Sequence, residues 1–312
     1  MEITYIQGDK KTILVSSFSE NNRLAASGNL MKIEGRSGCR IEIFEKGDRL
    51  FVRKFASTVS YNQRLERQKN KQCLFPGPEL RDLSFFTPTV YDEGIDHGIY
   101  WFDMDFISGE KYSSWLIKLN KKQLDHFITE IIQYFNKSIL HASLVEAPHD
   151  IIQEKLHQLM ASLMNTNGLD SGLVKKVIAY LSNIPIGKLY VGTCHGDFTL
   201  SNMLFLKNEQ ICVFDLLDSF IESPVIDYVK IRQDTFYKWT MHIENENNQY
   251  STKLIQVLDY IDKMLLQTFK EDRVIHVWEH YLTIFNLARI LPYSKDQKDI
   301  RFLQNHLNCL LP

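Results

Sequence analysis

The stretch His195-Gly196-Asp197-Phe198-Thr199-Leu200-Ser201-Asn202, followed by Val213-Phe214-Asp215-Leu216-Leu217-Asp218, decides how the rest of the chain is read. Asp197 and Asn202 share a polar turn between two short β-type runs, 190–193 and 203–205. A third run, 211–214, carries Asp215 at its end. Two carboxylates and an amide placed this way are hard oxygen groups on loop ends, where a rigid strand can aim them.

Outward from that stretch the chain divides by pattern. Upstream, 30–33, 41–44 and 50–55 read as strands, with an earlier apolar run at 13–16. Glu45-Lys46-Gly47-Asp48 is a hairpin turn between the last two strands. A polar helix is expected over 60–75, broken by Pro76-Gly77-Pro78, and a strand over 100–107, ended by Ser108-Gly109. From there apolar residues recur at helical spacing over 121–140, 149–163 and 172–181. Beyond Asp227 the expected elements are helices over 226–240, 252–269 and 272–290, with a polar connection at 244–249. Strands first and helices later predict an α+β fold, with a small antiparallel sheet lobe over 1–107 and a larger, mainly helical lobe over 108–312.

Composition bounds the class. The chain has 312 residues, 44% hydrophobic and 24% charged, with a formal net charge of −2, so it can bury a sizeable core and lacks the basic excess of a nucleic-acid binder. Cys39, Cys73, Cys194, Cys212 and Cys309 are odd in number and scattered, which reads as free thiols in a reducing compartment. No run of about 18 apolar residues is present and residues 1–11 are mixed polar, so no membrane partner and a cytoplasmic location are expected.

The chemistry that suits the central stretch is phosphoryl transfer. A triphosphate needs Mg²⁺, which takes one or two carboxylates or amides besides phosphate oxygens and water. Asn202 and Asp215 can supply two ligands, and Asp197 can accept the proton of an incoming hydroxyl. The string H-G-D-x-x-x-x-N, an apolar strand and D-x-x-D, with Ser223-Pro224-Val225-Ile226-Asp227-Tyr228 after it, resembles the aminoglycoside phosphotransferase and choline kinase family. That resemblance implies a bilobal protein-kinase-like fold and a kinase that uses ATP, or GTP, with Mg²⁺. It implies Asp197 as catalytic base, Asn202 and Asp215 as metal ligands, and His195 and Asp227 as braces of the loop. It also implies that Asp218 is a second acid of variable role.

The first lobe is expected to grip the nucleotide. In Phe51-Val52-Arg53-Lys54-Phe55, strand alternation puts Lys54 on the face of Val52, so Lys54 is preferred to Arg53 for the phosphates. Glu66 is the only acid between Asn62 and Leu74 and is the expected carboxylate partner of that lysine. Gly35, Ser37 and Gly38 stand where a phosphate-covering turn belongs. Asp105 to Ile107 resemble the family's hinge, whose backbone receives the adenine. The late helices carry Trp239, Trp278, Glu279, Tyr281, Phe285, Arg289 and Tyr293, from which Trp278, Glu279, Tyr281 and Arg289 are taken as acceptor candidates. The expected partner is a small-molecule hydroxyl acceptor, a sugar or amino alcohol before an antibiotic. A non-catalytic kinase-fold binding module is the alternative. A protein kinase fits less well, because Asp215 to Asp227 is short for an activation loop and no A-P-E segment follows.

Overall fold

The computed structural model describes residues 29–34 by backbone, and 38–244, 252–294 and 296–312 in full. The expected strand at 13–16 lies outside the described residues, as does nearly all of the connection at 244–249. The chain forms two compact units, one of Met1–Leu124 with Leu200–Asp218, the other of Asp125–Thr199 with Ser219–Pro312.

The first unit is built on a five-stranded antiparallel sheet. Its strands are β1 (Asn29–Glu34), β2 (Arg40–Lys46), β3 (Arg49–Phe55), β5 (Val90–Asp96) and β6 (Ile99–Asp105), in the order β1-β2-β3-β6-β5. A two-residue strand β4 (Phe85–Phe86) precedes β5 in the chain. The β2–β3 register pairs Ile43 with Val52 and Ile41 with Lys54, and β3–β6 pairs Lys54 with Phe102. Helix α1 (Asn62–Leu74) packs Leu65 against Ala56, Tyr100 and Phe102. This helix is polar overall because only one narrow stripe is covered. Helix α2 (Tyr112–Leu116) follows β6 and sets Trp115 flat on Phe205, ring centroids 4.2 Å apart.

The division expected at 107/108 is not where the compact units part. Residues 200–218 return to the first unit, because β10 (Ile211–Val213) pairs in parallel with β4 and antiparallel with β9 (Met203–Phe205). Glu110 and Phe205 exchange backbone hydrogen bonds of 2.8 and 2.9 Å, which ties the segment after β6 to the same sheet. The β10–β4 pairing joins residues more than a hundred positions apart, beyond the reach of any local pattern.

The second unit is helical. Helix α3 (Lys121–His141) belongs to it from Asp125 onward, and the antiparallel pair of β7 (Ser143–Glu146) and β8 (Lys188–Val191) brackets α4 (His149–Met164) and α5 (Ser171–Leu181) in the chain. Then come α6 (Pro224–Thr235), α7 (Trp239–Glu244), α8 (Thr252–Phe269), α9 (Arg273–Ile290) and α10 (Gln297–Leu310). Asp170, Ser223, Asp272 and Asp296 each cap a helix by accepting amides of its first turn. The expected helix over 226–240 is two helices. Lys238 adopts φ 58°, and its ammonium donates to the carbonyl of Thr235, closing α6 before α7 starts. The five cysteines form no disulfide. No helix among the described residues is long and apolar enough to cross a membrane.

Candidate functional site

In the second unit, the loop 195–199 is held from beneath. Ser223 caps α6 and Pro224 opens it, so Asp227 falls in the first turn with its carboxylate directed at the loop. Asp227 is fully buried and accepts the amides of His195 at 2.5 Å and Gly196 at 2.7 Å. Tyr134 of α3 donates its hydroxyl to the same carboxylate. Gly196 has φ +87°, a conformation that costs a residue with a Cβ roughly 1–2 kcal/mol, and it lets consecutive amides face one carboxylate. His195 Nδ1 accepts the amide of Asp197 at 3.2 Å, so this buried ring shapes the turn. Phe198 stacks on Tyr134 at 4.2 Å and meets Phe135 edge-on, which roots the loop in the core.

Asp197 is left partly exposed at the top of this support, with 23% of its side chain accessible. Its Oδ1 lies 2.8 Å from the ammonium of Lys230, a buried residue of α6. Burial works to raise the pKa of Asp197. The charge and hydrogen bond of Lys230, with Arg289 and His195, outweigh it and hold the carboxyl below its ordinary range. Lys230 is itself moved down from the usual lysine value, first by burial and then by Arg289. Asp197 is therefore ionised and hydrogen-bonded across neutral pH. Lys230 was not anticipated from the sequence; one signal was available, its place one helical turn after Asp227 on a helix just past the key loop.

In the first unit, Lys54 and Asp215 meet. Lys54 Nζ donates to Asp215 Oδ1 at 2.6 Å. Burial opposes the charge on Lys54, but the charge and hydrogen bond of Asp215 outweigh it, so its pKa is raised. Arg53 faces the other way and forks onto Asp103 at 2.6 and 2.8 Å. The β9–β10 register pairs Met203 with Val213, and the amide of Phe214 donates to the carbonyl of Asn202 at 3.1 Å. Asn202 and Asp215 therefore stand at the same end of one antiparallel pair. Asp215 has φ 60°, a left-handed backbone that Asp tolerates better than most residues, and 45% of its side chain is accessible.

Glu66 is not the partner of Lys54. It is exposed on α1, and the carboxylate that reaches Lys54 comes from Asp215. Its neighbour Arg67 instead donates to Asp218 at 2.6 Å, and Lys71 donates to the carbonyl of Leu217 at 2.8 Å. Gly35 and Ser37 lie outside the described residues. Gly38 has φ +74°, as a tight turn requires. Asp105 offers no free amide to a ligand: its N–H donates to Thr89, and its carboxylate takes Arg49 and Tyr91. The next amide, of Phe106, donates to Leu50, whereas Ile107 makes no hydrogen bond among the described residues.

Two of the acceptor candidates are core residues. Trp278 is fully buried with its indole N–H on the carbonyl of Lys188, and Tyr281 is buried with its hydroxyl on Leu181. Aromatics at helical spacing look alike in a core and in a pocket, and here packing claims them. Glu279 pairs with Arg232, which also binds Asp262 at 2.9 Å. Arg289 alone of the four bears on Asp197.

The donor set at 202 and 215 suits a small divalent cation. Asp215 Oδ1 is occupied by Lys54, Oδ2 remains on an accessible carboxylate, and Asn202 adds an amide oxygen. No group of three or more His, Cys, Asp and Glu side chains forms a protein-only metal cage among the described residues. Mg²⁺ does not require one, since it keeps waters and phosphate ligands.

Residues 45–250 match the family model described as the phosphotransferase enzyme family. No curated protein matches the sequence. Among solved structures, a putative fructosamine-3-kinase from Haemophilus somnus 129PT aligns with TM-score 0.57 and 12% identity, covering 92% of each chain. A thermostable mutant of aminoglycoside phosphotransferase APH(4)-Ia, in ternary complex with AMP-PNP and hygromycin B, aligns at 0.59 and 12%, covering 92% of this chain and 94% of that one. The gentamicin complex of APH(2")-IIa aligns at 0.56 and 15%, covering 93% and 92%. With a kinase-like fold shared across nearly its whole length and two thirds of its sequence within the family's model, this chain belongs to the phosphotransferase enzyme family.

Proposed function

We propose that this protein transfers the γ-phosphoryl group of ATP to a hydroxyl of a small molecule, in a Mg²⁺-dependent reaction. The observation that carries the reading is the Lys54–Asp215 ion pair. A lysine buried on a sheet costs several kcal/mol to desolvate, and a structural role would be met more cheaply by an apolar side chain. A cation fixed on the carboxylate that can bind Mg²⁺ is useful where a triphosphate must be held.

Each residue then has a task. Lys54 steadies the phosphates, and Asn202 and Asp215 hold the metal. When bound, Mg²⁺ offsets the charge of the phosphate oxygens. Asp197 accepts a hydrogen bond from the acceptor hydroxyl. The oxygen forms a bond to the γ-phosphorus as the bond to the β–γ bridging oxygen breaks. The hydroxyl proton passes to Asp197, and ADP leaves with the electron pair. Lys230 keeps Asp197 ionised and pointed. The adenine is received near Ile107, whose backbone groups are not already spent.

The test is Asp197→Asn. Turnover, read as acceptor-dependent ADP release, is expected to fall by about 10²-fold or more, while ATP affinity measured by calorimetry stays within about threefold. Turnover retained at the level of the native chain would remove Asp197 from the mechanism.

A further inference from the structure

We propose that the acceptor of this phosphotransferase carries an anionic group, a carboxylate or a phosphate, which Lys230 and Arg289 receive beside Asp197. The inference rests on the phosphotransfer reading above and adds the charge of the substrate.

The relevant face belongs to α6 and α9 of the second unit. Lys230 Nζ sits 2.8 Å from Asp197 Oδ1 and 3.4 Å from Gln233 Oε1. That same amide oxygen accepts the side-chain N–H of Asn286, at 2.7 Å, from α9. Lys230, Gln233 and Asn286 are all buried, so a polar seam joins the two helices. Arg289 lies three residues beyond Asn286, on the same face of α9 one turn further along. It is half-buried, and it makes no hydrogen bond or ion pair among the described residues. Its charge bears on both Asp197 and Lys230.

The acids around this face already have partners, and Arg289 is paired with none of them. Asp197 is ion-paired with Lys230. Asp234, which also acts on Lys230, is engaged by the amide and hydroxyl of Thr240. Glu279 and Asp262 are committed to Arg232. A half-buried guanidinium with no protein partner is costly unless something else satisfies it, and its fork geometry matches a carboxylate or phosphate. A cationic acceptor would meet like charge at the point where its hydroxyl must approach Asp197, which disfavours it. A neutral acceptor would leave Arg289 unused.

The experiment uses the native full-length protein. Acceptor-dependent ADP release from ATP with Mg²⁺ is measured with glycerate and glycerophosphate against glycerol, and gluconate against glucose. Ethanolamine and gentamicin serve as the cations. Calorimetry of the same compounds on the ADP-loaded protein is run in parallel. The expected result is a preference of about tenfold or more in kcat/KM, or in affinity, for anionic members over their neutral counterparts. Comparison of glycerate with glycerophosphate identifies the carboxylate or the phosphate as the source. R289Q is expected to erase most of that preference and R289K to keep most of it; equal loss in both would mean that charge is not what Arg289 supplies, and the proposal fails. It fails also if neutral or cationic acceptors are turned over as well as the acids, an outcome that leaves phosphotransfer standing. If no acid binds at millimolar concentration, the anion site is wrong whatever the turnover shows. If acids bind and no acceptor releases ADP, the anion site stands and the phosphotransfer reading falls.

Discussion

The carboxylate of Asp227 receives two consecutive backbone amides and the hydroxyl of Tyr134 in a place with no water contact. Removing it strands these donors, and charge-assisted bonds of this kind are the costly ones to lose. Asp227→Asn is expected to lower unfolding free energy by about 2–4 kcal/mol, since the amide keeps one acceptor oxygen and points N–H groups at N–H groups. Urea denaturation checks this, and a midpoint equal to that of the native chain would show that the loop does not depend on Asp227. The bracing by Asp227 and the placement of Asp197, Asn202 and Asp215 on a loop and strand ends were legible because their types and spacings sit within one short stretch. Lys230 was harder to read. A lysine on a helix usually faces solvent, and only the packing of α6 against the loop turns Lys230 inward.

At the scale of elements, α1 is attached to the segment after β10 by Arg67 on Asp218 and Lys71 on the carbonyl of Leu217. This latch stands where a contact from Glu66 to Lys54 was expected. The helix was rightly expected over 60–75, yet which of its charged side chains meets a partner depends on its rotation against the sheet, and Glu66 and Arg67 differ by one position, about 100°. A double-mutant cycle of Arg67→Ala and Asp218→Ala is expected to give a coupling of about 0.5–1 kcal/mol, as both groups are partly exposed. Glu66→Ala is expected to shift stability by no more than about 0.5 kcal/mol. A coupling of zero, or a larger effect at Glu66, would contradict the latch. Strand β5 escaped sequence reading for a related reason. Val90–Asp96 is an edge strand whose register slips between Val90 and Asp92, and its Gly94 lies under the ring of Trp101, where a Cβ would come within 2.8 Å. Such a strand needs no alternating pattern, because little of it is buried.

For the whole molecule, binding of ATP with Mg²⁺ to the native state is expected to raise the melting temperature, because a ligand at a hundred times its Kd adds about 2.7 kcal/mol. Chelation of Mg²⁺ is expected to remove most of that rise. Asp215→Ala is expected to make the response to ATP indifferent to Mg²⁺; a full Mg²⁺-dependent shift in that variant would displace Asp215 as a ligand. The sequence by itself determined the strand-then-helix order, the loop carrying Asp197 and the membership of a phosphotransferase-like class, because these follow from residue type and spacing within a few turns of chain. Tertiary structure decided that residues 200–218 belong with the first unit, that Asp215 and not Glu66 holds Lys54, that Trp278 and Tyr281 are core, and that Lys230 sits on Asp197. Those outcomes depend on which distant surfaces pack together, and that choice minimises buried unpaired charge and exposed apolar area over the whole chain, a sum that no local window contains.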